Sequence, residues 1–380
     1  MLFFLRTCAF FALLIQSYCF ALPLFDAYPT LKKTIAHVEL CTLPTPIIKL
    51  NNLSAAIDHN QLYIKNDALT APDFGGNKIR KLEFLLADAL VKNASYVVAV
   101  GSAGSNFCCA AAVHAASLNI PCACFYAPQL NTIYLQRNAL IAAAAGATLE
   151  LHPSPVARNT ALANFMANNP TAYAIPGGGS NALGALGFVN AAFELKEQIN
   201  AGTCPLPDVI FITYGSAGSA AGLLLGLKAA GIKSHVVVVQ VCDPVVTVAE
   251  DITALFNQTN NLLCQADKSF QRYNLTAGDF SIDSDHYYGR YAKIDPAQAD
   301  AIKLLNDTQG IKTDGTYAGK TLIAMLDYAA KNKNKSILFW NTFFSGRADV
   351  LKSHDYKKLP QEWHDYFDGS ISLQQIDQGV

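Results

Sequence analysis

The first residue in this sequence that could do chemistry is a lysine one residue beyond a pair of glycines. Phe74-Gly75-Gly76-Asn77-Lys78 leads into Ile79 to Leu90, where Ile79, Leu82, Leu85, Leu86 and Ala89 recur on one helical face. An amine becomes a nucleophile when its pKa falls, and the nearby cations Arg80 and Lys81 push it that way. Glycines without a Cβ let the backbone close on a flat cofactor. On spacing alone, a solvated basic helix start explains the same residues, because short Gly-Lys motifs recur by chance. The second candidate is Gly215-Ser216-Ala217-Gly218-Ser219, a turn between an apolar run and a small-residue helix. Its N–H groups and the helix dipole converge on one spot, a seat for a phosphate, and Ser216 and Ser219 add hydroxyl donors. It lacks the Gly-Lys-Ser/Thr ending of a P-loop, and its glycines miss the dinucleotide spacing. A tight structural turn is the competing reading. Other chemistries find no support. The eight histidines show no metal-ligand spacing. Neither Ser105 nor Ser219 has the Gly-x-Ser-x-Gly setting of a hydrolase nucleophile.

Both candidates need rigid elements to hold them. Leu62 to Asp67 reads as a strand running into the loop before Lys78. From Tyr96 onward, short apolar runs alternate with small-residue helices. Strands are expected at Tyr96–Val100, Pro121–Tyr126, Thr148–Leu151, Val209–Thr213, His235–Val241 and Ser336–Trp340. Helices are expected at Cys108–Leu118, Gln136–Ala145, Ala220–Ala230, Asp295–Asn306 and Thr321–Ala330. This alternation produces parallel sheets covered by helices. Two loops share the same five residues, Gly101-Ser102-Ala103-Gly104-Ser105 and Gly215-Ser216-Ala217-Gly218-Ser219, and each follows a strand. The expected fold is therefore α/β, with two doubly wound parallel-sheet lobes and a ligand between their strand ends.

At 380 residues, with 51% hydrophobic and 15% charged residues, the chain can bury two cores with sheets covered on both faces. A net charge of −1 gives no electrostatic reason to expect nucleic acid or an acidic membrane as partner. Residues 1–21 read as a signal peptide: one early arginine, an apolar run from Thr7 to Gln16, and a small residue at Ala21. That run is too short for a comfortable membrane span. Export to the periplasm or medium is expected, with no stable span after cleavage. Of ten cysteines, Cys8 and Cys19 fall in this segment. The remaining even number permits disulfides, yet most sit in apolar runs where buried free thiols are the commoner outcome.

Asp67 through Leu90 resembles the stretch around the catalytic lysine of the D-cysteine desulfhydrase and 1-aminocyclopropane-1-carboxylate deaminase family. Further segments follow in the family's order. They are Gly101 to Asn106, Pro176 to Phe188 with Gly178-Gly179-Ser180-Asn181, Gly215 to Leu223, and Asp314 to Leu322 with Tyr317-Ala318-Gly319-Lys320. The resemblance spans Leu62 to Thr342 and implies a fold-type-II enzyme that uses pyridoxal 5'-phosphate, a homodimer, and a small amino-acid substrate. The order of elements places a large cofactor-binding domain at 22–82 and 188–380 and a small α/β domain at 83–187. The resemblance makes Lys78 the lysine that bonds the cofactor and moves the substrate's Cα proton. By the same resemblance, Asn106 meets the phenolic oxygen, Ser105 faces the substrate carboxylate, Gly215, Ser216, Ala217, Gly218 and Ser219 seat the phosphate, and Thr342 faces the pyridine nitrogen. Tyr288 and Tyr317 are placed beside the substrate.

Within this family the reaction turns on how strong an electron sink is needed. A thiol of pKa about 8.5 is a good leaving group, whereas opening a cyclopropane ring has none. The deaminases carry a glutamate directly after the late tyrosine and a leucine on the late strand, where this chain has Ala318 and Thr342. Both substitutions favour β-elimination, with D-cysteine going to pyruvate, ammonia and hydrogen sulfide. Ring opening, another D-amino-acid lyase activity, or an inactive exported binder of the cofactor are the alternatives. The sequence departs from the family pattern at Gly104 and Phe107, which flank Ser105-Asn106, at Cys108 and Cys109, and at Phe343-Phe344, where two glycines are usual. The two rings predict a narrower pocket.

Overall fold

The computed structural model describes residues 22–243, 249–347 and 349–374. The proposed signal peptide, residues 1–21, lies outside the described residues. Among the described residues there are ten strands: β1 Ile47–Lys49, β2 Leu62–Asn66, β3 Val97–Ser102, β4 Cys122–Ala127, β5 Thr148–Leu151, β6 Tyr173–Ile175, β7 Val209–Tyr214, β8 His235–Gln240, β9 Phe280–Asp283 and β10 Ile337–Asn341. They form two sheets, in the orders β1-β2-β10-β7-β8-β9 and β5-β4-β3-β6. Among these ten strands the β1–β2 pair is antiparallel and the other pairs are parallel. β4 and β7 are buried along their whole length, which explains their unbroken apolar runs. The fold is α/β with two parallel-sheet lobes.

All four strands of the small sheet fall within 83–187, and all six of the large sheet fall outside that range. The chain crosses between the lobes along the helix Asn77–Val91 and returns along the helix Ala182–Asn200. In the sequence, the second of these reads only as a glycine-rich segment. Its glycines mark close packing. A Cβ at Gly187 would lie 2.1 Å from the Arg80 carbonyl oxygen, and one at Gly184 would lie 2.2 Å from that of Gly179. The chain crosses once more near its end. Val350, Leu359, Trp363 and Tyr366 join the small lobe's core, with Trp363 edge-on to Tyr126 at 4.9 Å. The large domain therefore does not run unbroken to residue 380; the segment 350–367 belongs structurally to the small lobe.

Among the described residues no helix is long and apolar enough to cross a membrane. All eight described cysteines are free thiols, and Cys122 and Cys124 lie with their sulfurs 3.8 Å apart inside the small lobe.

Candidate active site

A cavity of about 710 Å³ opens where the carboxyl ends of β3, β4, β7 and β10 meet, a volume typical of small-molecule sites. Lys78 enters it from the second position of its helix. The turn before it is tied on both sides. The Gly76 N–H donates to the Asp67 carbonyl at 2.8 Å and the Asn77 N–H to the Thr342 carbonyl at 3.1 Å. Gly76 has φ +90°, and a Cβ there would lie 2.9 Å from the Thr342 oxygen, so this position needs glycine on both counts. Among the described residues the Lys78 amine has no hydrogen-bond partner. Burial pushes its pKa down to about 8, partly offset by Cys242 and Asp314.

Two residues further on, Arg80 anchors the helix in a fully buried polar cluster. Its guanidinium binds Asp67 through two bonds of 2.9 and 2.7 Å and Glu194 at 2.8 Å. Lys65 donates to Glu194, to the Thr45 carbonyl at 2.8 Å and to Gln198 at 2.7 Å. Trp340 on β10 donates to Asp67 at 2.8 Å. Burial would raise the Glu194 carboxyl, but Arg80 and Lys65 override it and hold it down at about 2. Two cations and two carboxylates thus fix the lysine helix to β2, β10 and the return helix.

At the other end of the cavity, Gly215–Ser219 runs into the helix Gly218–Ala229. Facing it is the segment Gly177–Gly179, where a Cβ at Gly178 would lie 2.1 Å from Ser216 Oγ. Ser180 Oγ accepts from the Gly218 N–H at 3.1 Å and lies 2.8 Å from Ser216 Oγ. Asn77 Nδ2 donates to Ser219 Oγ at 2.9 Å. Lys81 reaches the same place, donating to the Gly178 carbonyl at 3.0 Å and Ser180 Oγ at 3.2 Å. Burial, and then Lys78, hold its ammonium well below the usual lysine range, so an anion there would relieve a real cost. In the sequence Lys81 stands out only as a charge near Lys78. Its three-residue spacing from Lys78 is the available signal, since it puts both amines on one helix face.

Between these ends, Ser105 caps the helix Asn106–Ser117, its Oγ accepting from the Cys108 N–H at 3.2 Å. Asn106 Oδ1 accepts from Asn138 Nδ2 at 2.7 Å. Thr342 Oγ1 lies 3.4 Å from Thr213 Oγ1, which lies 2.8 Å from Thr321 Oγ1, a ladder of neutral hydroxyls. Tyr317 lines the cavity with its hydroxyl bonded to that of Tyr291. Asp314 is also on the wall. Burial raises its carboxyl to about 6, although the Ala318 and Tyr317 N–H groups donate to its two oxygens at 2.9 and 3.0 Å.

Lys78, Ser105, Asn106, the whole Gly215–Ser219 loop, Tyr317 and Thr342 therefore meet around one cavity. Tyr288 is the correction. It takes a left-handed backbone, φ +61°, which turns its ring edge-on to His286 and to within 5.8 Å of Lys320 Nζ, and it is absent from the cavity wall. Tyr291 occupies the place expected for it. Phe343 and Phe344 also part company. Phe343 lines the cavity and packs edge-on against Tyr134 at 5.2 Å, while Phe344 turns into the small lobe's core against Phe74. Only one ring narrows the pocket.

The donor set suits a flat cofactor with a phosphate at one end. It offers an amine of lowered pKa, an amide beside it, a hydroxyl for a ring nitrogen, and a glycine cradle with a buried ammonium that has no carboxylate beside it among the described residues. This chain belongs to the pyridoxal-phosphate dependent enzyme family, whose model matches residues 38–342. D-cysteine desulfhydrases are among its relatives. That of Klebsiella pneumoniae (strain 342) is 32% identical over 326 residues, 80% of this chain and 93% of the relative. That of Serratia proteamaculans (strain 568) is 31% identical over 317 residues, with the same shares. A crystal structure of an ACC deaminase homologue superposes with a TM-score of 0.72 at 27% identity, over 87% of this chain and 98% of that one. The protein is thus a fold-type-II pyridoxal-phosphate enzyme, with Lys78, Asn106, Lys81, the Gly215–Ser219 loop and Thr342 as the residues that would hold the cofactor.

Proposed function

We propose that the enzyme eliminates the β-substituent of a D-amino acid, with D-cysteine as the substrate, which together with water becomes pyruvate, ammonia and hydrogen sulfide. The observation that carries this reading is the neutral hydroxyl ladder Thr342–Thr213–Thr321, with buried Ala318 directly after Tyr317. Of the two carboxylates that line the cavity, Asp314 already accepts backbone N–H groups with both oxygens, and Asp243 accepts from the Tyr287 hydroxyl. A hydroxyl leaves a pyridine ring a moderate electron sink, enough for expelling thiolate and weak for opening a strained ring. The D-cysteine desulfhydrase relatives support the same choice.

Bound pyridoxal phosphate supplies the electron sink for negative charge at the substrate's Cα. The protein supplies the rest. Lys78, its pKa lowered by burial, takes the Cα proton. Ser105 retains a hydroxyl proton to donate to the substrate carboxylate while its oxygen caps the helix. The paired hydroxyls of Tyr317 and Tyr291 face the same space and orient the leaving side chain. Phe343 restricts that space to small β-substituents.

Sulfide release from D-cysteine and from L-cysteine, with Lys78→Ala as blank, tests the proposal. Release from the D-isomer alone is the expected result. Ring opening of aminocyclopropane carboxylate at a rate comparable to D-cysteine turnover would refute it. Export through residues 1–21 and a homodimeric state belong to the same proposal. Cell fractionation and sedimentation of the mature chain test them.

A further inference from the structure

Behind Asn106 lies a chain of side chains whose donors and acceptors leave no choice of orientation. Arg137 and Asn138 are consecutive residues of the helix Ile133–Ala144, and both are buried. A guanidinium can only donate, and Arg137 Nε and Nη2 lie 3.3 and 3.0 Å from Asn138 Oδ1. A carbonyl can only accept, and that of Gly104 lies 3.0 Å from Asn138 Nδ2. The amide of Asn138 is therefore assigned at both ends by chemistry, oxygen toward Arg137 and nitrogen toward Gly104. Its second N–H reaches Asn106 at 2.7 Å, so the atom of Asn106 that meets it must be the carbonyl oxygen. What Asn106 has left for the cavity is its NH₂ group.

Arg137 is itself held in place from the far side. Its Nη1 donates to the Phe344 carbonyl at 3.0 Å, and its guanidinium lies 5.0 Å from the centre of the Phe343 ring and 5.8 Å from that of Tyr134. No carboxylate among the described residues forms an ion pair with it. A buried arginine paired only with neutral groups is costly, and among the described residues the side-chain oxygen that accepts from it is that of Asn138.

We infer that Arg137 and Asn138 are positioning residues: they fix Asn106 as a donor toward the cofactor's phenolic oxygen and tie that polarity to the Phe343–Phe344 segment. This rests on reading Asn106 as the partner of that oxygen. A donated hydrogen bond favours the ionised oxygen, and an acceptor in the same place opposes it. Asn138→Asp keeps shape and pairs with Arg137, but it faces Asn106 with an acceptor. Asn106 must then turn its NH₂ toward the introduced carboxylate and its oxygen toward the cofactor.

The measurement is the pH titration of the bound cofactor's visible absorbance, without substrate. A wrong assignment of D-cysteine as substrate therefore leaves it untouched. Asn138→Asp is expected to raise the titration midpoint by about one to two units, as Asn106→Ala does by loss of the donor. In the double variant the Asn138 change should add nothing further, because it acts only through Asn106. Asn138→Ser, which removes the contact without adding charge, carries the same comparison if Asn138→Asp does not fold. The inference is overturned if either Asn138 variant binds cofactor with an unmoved midpoint. It is also overturned if the Asn138 effect persists in full in the Asn106→Ala background, or if Asn106→Ala itself moves nothing.

Discussion

Replacing Glu194 with glutamine should destabilise the enzyme far from any group that touches substrate. The carboxylate accepts from Arg80, Lys65 and the Thr45 N–H, and with Asp67 it balances two buried cations. Its pKa falls from 4.5 to about 2 on folding, which corresponds to ~3 kcal/mol at neutral pH. Removing one member of a buried pair costs about 3–5 kcal/mol, so the two routes agree. The assay is urea unfolding of cofactor-free protein, followed by tryptophan fluorescence. Glu194→Gln should lose ~3 kcal/mol, and adding Lys65→Met should recover part of it by removing the uncompensated ammonium. The sign of the pH dependence follows from the depressed pKa. The Glu194 contribution is full above 4.5 and is lost as pH falls toward 2, so the wild type should shed it in that window and the variant should not. A loss below about 1 kcal/mol, or no rescue by Lys65→Met, would refute the reasoning.

Tyr291→Phe should lower kcat/KM about 10- to 100-fold while Tyr288→Phe leaves it near the wild-type value, and steady-state kinetics on the preferred substrate separate the two. The rate at which cofactor-free protein takes up pyridoxal phosphate should rise with pH and level off above about 8, because the neutral Lys78 amine is the reactive form; stopped-flow absorbance reads it, and a rise continuing past about 10 would contradict the lowered pKa. Phe343→Ala should admit bulkier β-substituents and lower their KM. Phe344→Ala should instead cost about 3–5 kcal/mol of stability with substrate preference unchanged, read by urea unfolding and a substrate panel.

The parts of the site carried by sharp local patterns are legible in the sequence. Lys78 follows two glycines and opens an amphipathic run, and its helix begins at Asn77, two residues before the expected start. Thr148–Leu151 falls where the apolar pattern puts it. What the sequence hides has physical causes. Tyr288 and Tyr291 sit in an irregular stretch with no period to say which ring faces inward, and a left-handed residue reverses the sense there. The helix Ala182–Asn200 is hidden because Gly184 and Gly187 look like loop residues, although both mark places where backbones nearly touch. Arg80 reads only as a cation near Lys78, because nothing local announces that Asp67 and Glu194 bind it and that Lys65 shares Glu194. Phe343 and Phe344 are adjacent, and only packing decides that they enter different cores.

The return of the C-terminal segment to the small lobe has a consequence for biosynthesis. The last strand of the small sheet ends at Ile175, and Tyr366, which completes its core, follows 191 positions later. At roughly 5–20 residues per second, a ribosome needs on the order of 10–40 s to make that stretch. Until then the surface of the nascent small lobe that Trp363 covers lies bare. Removing residues 350–367 should therefore be felt first in the small lobe, whose four strands are made long before them.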